Sequence, residues 1–209
     1  MAAVTYALTT EARIKTRLGI TQSGFDTLIK RLMYGVTDFI EKEAGGRRFK
    51  ETTYTQELYD GSPLNDEDTV VPYLVLKNAP VGTISALQYR TGSRSLPTWV
   101  DVATDDYEPR SPEGILRFWG GVPKGVRNIR ITYTAGYKVD FSNEFDDTLH
   151  TLPYEITDLA ERLVVKRFKK REKEGVSRES FGESSLDWKE LLDADDKATI
   201  MQYTRPQFV

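Results

Sequence analysis

Two amphipathic helical segments, held apart by residues 47–149, constrain this chain more than any other feature. In SGFDTLIKRLMYGVTDFIEKEAGG the residues Phe25, Leu28, Ile29, Leu32, Val36, Phe39 and Ile40 recur at three- and four-residue spacing, which is one apolar stripe along a helix. In LPYEITDLAERLVVKRFKKREKEG the residues Leu152, Ile156, Leu159, Ala160, Leu163 and Val164 do the same, with Pro153 placed where a first turn accepts it. A stripe on one face must be covered, and the partner of the first is the second. Everything between them is then an insertion, hosted where its two ends come close together.

Shorter helical segments flank this pair. TTEARIKTRLGI opens on Thr9 and Thr10 as N-cap candidates and closes on Gly19, and ELLDADDKATIMQYTRPQF holds a last helix that Pro206 stops. Ser23 with Asp26 resembles a weakened capping box at the head of the first long helix, and Gly45-Gly46 ends it. Between the last two helices, GVSRESFGESSLDW reads as a polar linker. The order is helix, helix, β insertion, helix, linker, helix.

The insertion alternates in short runs broken by turn residues. Strands are expected over 51–59, 70–76, 81–90, 98–103, 114–118 and 126–134, with Asp60-Gly61, Asn78-Ala79-Pro80 and Gly120 to Gly125 between them. The last is the plainest: Ile129, Ile131 and Tyr133 fall on one side, Arg130, Thr132 and Thr134 on the other. Such strands build a small barrel or sandwich. The fold class is therefore α+β, a bundle of about four helices with a large β-rich insertion between the second and third. Residues 1–46 and 150–209 form the bundle with an extended C-terminal arm, and 47–149 form the lobe.

Chemistry is excluded more readily than assigned. The chain has no cysteine, so thiolate metal sites, thiol nucleophiles and disulfides are absent, and its one histidine, His150, is expected in a solvated loop ahead of a helix. Acidic groups such as Asp101, Asp105, Asp106 and Glu108 lack the spacing of a calcium loop, and Gly120 to Gly125 lacks the Gly-Lys-Ser/Thr ending of a phosphate loop. A formal charge of -3 gives no cationic surface for tight nucleic-acid binding, and no apolar run is long enough to span a bilayer. Neither enzyme chemistry nor a cofactor nor a membrane is expected. The tyrosines, tryptophans and phenylalanines of the lobe, Tyr54, Tyr59, Tyr73, Tyr89, Trp99, Tyr107, Phe118 and Trp119, are read mainly as core, and the basic run Lys166, Arg167, Lys169, Lys170, Arg171 and Lys173 as a solvated helix end.

The pieces LTTEARIKTRLGI, EKEAGGRRF, YTQELYDG, VLKNAPVGTISALQY, RNIRITYTAGY and LPYEITDLAERLVVKRFKKRE followed by GVSRESFGESS, in that order, resemble the head-tail connector family of tailed bacteriophages, also called adaptor or head completion proteins. The resemblance implies a structural protein that assembles as a ring, typically of twelve copies, beneath the portal at the capsid vertex. Such a ring extends the DNA channel without reading its sequence and receives a stopper or tail-completion protein on its far side. The protein would then reside in the virion neck and be assembled in the host cytoplasm.

By the same analogy residues 189–209 form a portal-facing arm, with Trp188, Leu191, Leu192, Ile200, Met201, Tyr203, Arg205 and Phe208 as the docking residues. Such an arm should be removable without loss of the helices. Arg162, Lys166, Arg167, Lys169, Lys170 and Arg171 are the expected contacts to a neighbouring subunit or the channel. The competing reading is a carbohydrate- or protein-binding module that uses the lobe's aromatics, such as Trp99 and Trp119. A hydrolase built on acidic residues fits least.

Overall fold

The computed structural model describes residues 6–62, 71–93, 96–174 and 192–204, with the backbone alone over 171–174. They fall into two compact units, Met1–Arg47 with Lys138–Thr204, and Arg48–Tyr137. The segment 138–149, grouped with the β residues in the expected division, thus belongs with the helices. Reciprocal hydrogen bonds explain it: Lys138 N donates to Thr151 Oγ1 at 2.9 Å and Thr151 N to Lys138 O at 2.9 Å.

The first unit is helical, with α1 at Glu11–Leu18, α2 at Asp26–Glu43, α3 at Tyr154–Glu174 and α4 at Ala194–Gln202. Thr10 caps α1 by accepting from Arg13 N at 3.4 Å, and Gly19 closes it in the left-handed region at φ 68°. The box foreseen at Ser23 is instead a single 3₁₀ turn, Ser23–Phe25, leading into α2. Along α2 the buried face carries Ile29, Met33, Val36, Phe39 and Ile40, and α3 answers with Ile156, Leu159, Ala160, Leu163, Val164 and Phe168.

Two polar residues share the buried face of α2, and both are satisfied from the segment before α1. Thr37 Oγ1 accepts from Leu8 N at 3.1 Å while donating to Met33 O at 2.9 Å, and the Tyr6 hydroxyl donates to the Glu41 carboxylate. Burial of a hydroxyl or carboxylate is tolerable only with such partners.

The second unit is two antiparallel sheets around one core. Strands β1 (Thr52–Tyr59), β3 (Val81–Gly92), β4 (Pro97–Asp101) and β7 (Ile129–Ala135) form one sheet in the order β1-β7-β3-β4, and β2 (Tyr73–Val75), β5 (Tyr107–Arg110) and β6 (Ile115–Phe118) form the other as β2-β6-β5. It is a sandwich rather than a barrel. Strand β5 was not foreseen, because Tyr-Glu-Pro-Arg offers one apolar side chain and a proline; it sits at a sheet edge, where proline is tolerated.

Central β7 buries Ile129, Ile131, Tyr133 and Ala135 against Leu74, Leu87, Leu116 and Phe118. At its end Gly136 adopts φ 109°, and a Cβ there would meet the Lys50 carbonyl and Glu51 nitrogen at 2.8 Å. The Tyr-Thr-Ala-Gly-Tyr ending is thus a place where two backbones touch. Within the core the Tyr133 hydroxyl donates to Glu57 Oε2 at 2.9 Å and lies 3.0 Å from the Tyr59 hydroxyl, which also accepts from Lys77 N at 3.0 Å. Burial pushes both phenols well above the ordinary tyrosine range.

Candidate assembly interface

The expected arm is, over 192–204, a packed helix. Leu192 and Ile200 are buried, so α4 contributes to the bundle core, and removing 189–209 would strip that core rather than leave the helices intact. Asp193 caps α4: its Oδ1 accepts from Asp196 N at 2.8 Å, and Asp196 Oδ2 accepts from Asp193 N at 3.3 Å. The far end is tied down by Arg47 Nη1, which donates to Tyr203 O at 2.5 Å.

Two of the basic residues expected to face outward are used to hold α4. Lys166 Nζ lies 3.0 Å from Asp193 Oδ2 and 2.8 Å from Asp196 Oδ2, and Arg162 Nη2 lies 3.1 Å from Asp196 Oδ1. Asp196 is wholly buried, so its charge requires both cations. Desolvation alone would lower Lys166, but Asp196 and Asp193 outweigh it and hold the amine above its ordinary range. The Asp196 amide, then Lys166, draw Asp193 down to about 2.

Of the eight docking candidates, Leu192 and Ile200 therefore point into the bundle, Met201 is exposed and Tyr203 is half-buried. Trp188, Leu191, Arg205 and Phe208 lie outside the described residues. On α3, Lys169 is exposed and Arg167 and Lys170 are half-buried, while the Arg171 side chain lies outside the description. Among the described residues, neither set is gathered into one open patch.

A third surface escaped the sequence reading. The turn between the lobe and α3, residues 138–150, carries Phe145 at 86% exposure with Leu149 at 44%, and Tyr154 follows at 57%. The turn is built rather than loose. Asp140 accepts from Ser142 N and Asn143 Nδ2, both at 2.9 Å; Asp146 Oδ1 accepts from Thr148 N at 2.8 Å and Thr148 Oγ1 at 2.6 Å; Lys138 Nζ donates to Thr148 O at 2.9 Å. These bonds keep the Asp140 and Asp146 carboxyls below the ordinary range, with Asn143 and Thr148 as the leading causes.

His150 is the anchor of this turn and is buried, not solvated. Its Nδ1 accepts from Asp140 N at 3.1 Å, and its ring packs 5.0 Å from Phe141. Arg13 of α1 lies 5.7 Å from the centroids of both Phe141 and Tyr154 and pairs with Glu144 and, at 3.1 Å, with Glu161. The signal was the aromatic spacing in DFSNEFDDTLH, readable only once Arg13 is known to face it.

In the lobe, Tyr59 and Phe118 are buried and Tyr54, Tyr89, Trp99 and Tyr107 half-buried, leaving Tyr73 and Trp119 at the surface, the latter with the Arg117 guanidinium 4.6 Å from its centroid. Trp99 is covered by Arg130 at 4.4 Å. Tyr89, Asp101, Asp106, Phe118 and Lys124 border a groove of about 650 Å³. Among the described residues no cluster of three His, Asp or Glu side chains could hold a metal, and no helix is long and apolar enough to cross a membrane.

A bundle with this sandwich inserted before α3 has counterparts among solved particles. A chain from the neck of an empty GTA (gene transfer agent) particle, computed with C6 symmetry, superposes with a TM-score of 0.57 at 14% identity, over 95% of this chain and 90% of that one. The chain shares its fold with that neck chain. A chain from the neck of the native GTA particle, computed with C12 symmetry, gives a TM-score of 0.51 at 13% identity, over 95% and 89%. No family model and no curated protein matches the sequence.

Proposed function

We propose that the chain is a structural subunit of a particle neck: a head-tail connector that closes into a ring beneath a portal, leaves a passage for DNA, and offers its far side to a stopper or tail-completion protein. The observation that carries this is the extent of the fold agreement, 95% of this chain with 90% of a neck chain. The symmetries of those necks, C6 and C12, favour a closed ring, of twelve copies in this reading. Its place is then the virion, reached by assembly in the host cytoplasm.

Charge agrees with a passage rather than a grip. Arg162 and Lys166 are neutralised by Asp193 and Asp196, so fewer cations remain to hold phosphates, and DNA affinity should be weak with a shallow salt dependence. Met201 and Tyr203, with Trp188, Leu191, Arg205 and Phe208, would dock on the portal, while Leu192 and Ile200 hold α4 in place.

Electron microscopy of the purified chain mixed with its cognate portal protein tests the reading. Annular density of uniform diameter capping the portal is expected. A chain that stays monomeric and leaves the portal bare at every ratio would overturn it.

A further inference from the structure

The rigid turn before α3 exposes more apolar surface than it needs for its own folding, and the same helix ends in the opposite charge. Residues 138–149 hold Asp140, Glu144, Asp146, Asp147 and one cation, Lys138, around the projecting Phe145 and Leu149, and with Arg13 of α1 on Glu144 the turn stays net acidic. At the other end of α3, the sequence of residues 166–174 holds six basic residues and two acidic ones, of which Lys166 is taken up by Asp193 and Asp196. There Phe25, 37% exposed, packs edge-on against Phe168 with ring centroids 5.4 Å apart, and Lys169 next to it is exposed. Each end of α3 therefore offers an exposed aromatic, one among acidic residues and the other beside the exposed Lys169.

The two ends cannot meet within one molecule. Tyr154 and Lys169 are fifteen rises apart on a straight helix, about 22 Å. Between molecules they can, and a contact of one end with the other is heterologous, the type that closes into a ring when its rotation permits. We infer that the Phe145–Leu149 turn is a preformed knob that docks on the Phe25–Lys169 end of α3 in a second copy of this chain. The inference rests on the ring reading above and names the surfaces that would form it. Pre-ordering by His150, Asp140, Asp146 and Arg13 removes the entropic cost of arranging the knob at the moment of contact, and the charged rims set the direction of pairing.

Because the chain has no cysteine, disulfide trapping reports the contact cleanly. Phe145→Cys chains are mixed in equal amounts with Lys169→Cys chains and oxidised; both positions are exposed, so neither variant disturbs the core. The 145–169 disulfide should exceed each symmetric disulfide by on the order of tenfold, and the excess should fall as salt is raised. A statistical mixture overturns the inference. In parallel, Phe145→Asp should weaken self-association in sedimentation velocity by about thirtyfold, the size expected of a central aromatic anchor. If the Phe145→Asp chain still forms rings undiminished, this contact is wrong while the neck reading stands. If 145–169 pairing dominates but only open chains form, the contact stands and the ring reading falls.

Discussion

The helical unit and the β lobe are held together by different means. The lobe's centre is made by alternation: every second residue of β7, from Ile129 to Ala135, enters one apolar core, and the polar cluster inside it, Glu57 with Tyr59 and Tyr133, is local to adjacent strands. The bundle instead carries buried charge in its seams. Glu161 accepts from Thr9 at 3.3 Å and from Arg13 Nη1 at 3.1 Å and is ion-paired with Arg17 Nε at 3.0 Å, while Asp196 accepts from Lys166 and is ion-paired with Arg162. A sheet core tolerates loss of any one polar contact better than a seam does, because a charge left alone in the seam keeps its desolvation cost. What fails first on mutation should therefore be backbone fit in the lobe and charge balance in the bundle.

One such point in the lobe is Gly136. Gly136→Ala places a side chain in a left-handed backbone and against the Lys50 and Glu51 backbone, and should cost about 3 kcal/mol or more, read by denaturant unfolding through tryptophan fluorescence. A loss under 1 kcal/mol would show that the strand end relaxes and that backbone fit is not what limits the lobe. In the bundle, Glu161→Gln leaves Arg13 and Arg17 without their shared counter-charge, with an expected loss of about 2 kcal/mol by circular dichroism. An unchanged midpoint would mean that Glu144 and Asp158 carry α1 unaided. Somewhat smaller, Thr37→Val removes the acceptor for Leu8 N at nearly constant volume and should cost about 1 kcal/mol, with hydrogen exchange at Leu8 rising in proportion.

The same contrast explains what could be read from the sequence. The α2 and α3 stripes and the β7 alternation are periodic, and period is a property of neighbouring residues; all six apolar residues expected of α3 are buried. Seams are not periodic. Arg13 and Glu161 stand 148 residues apart, and nothing near either one signals the other. Charge runs misled for that reason: Lys166 read as part of a solvated basic helix end and Arg162 as a subunit or channel contact, and only the fold brings Asp196 beneath them. His150 read as solvated because its partners, Asp140 N and Phe141, become partners only through the fold of the turn. The docking role given to Leu192 and Ile200 had a related cause, since an isolated short helix after a polar linker shows nothing of the surface that receives it.

The smallest effect isolates charge in a seam from its hydrogen bonds. Asp193 folds with its carboxyl at about 2, below the ordinary 3.8, chiefly because the Asp196 amide and Lys166 favour the ionised form. A depressed carboxylate contributes its stability above the unfolded value and loses it as pH falls through the folded one, so the contribution should be whole at pH 5 and vanish between about 4 and 2. Asp193→Asn keeps an acceptor for the Asp196 amide but deletes the charge facing Lys166. The gap in stability between the two proteins, measured by urea unfolding at a series of pH values, should be modest at pH 5 because Asp193 is exposed, and should narrow toward zero by pH 2. A gap that persists unchanged at pH 2 would assign the loss to capping geometry and not to charge. The bundle's C-terminal seam would then be built on the same local hydrogen bonding as the lobe, and the contrast between the units would narrow to the Arg13–Glu161 seam alone.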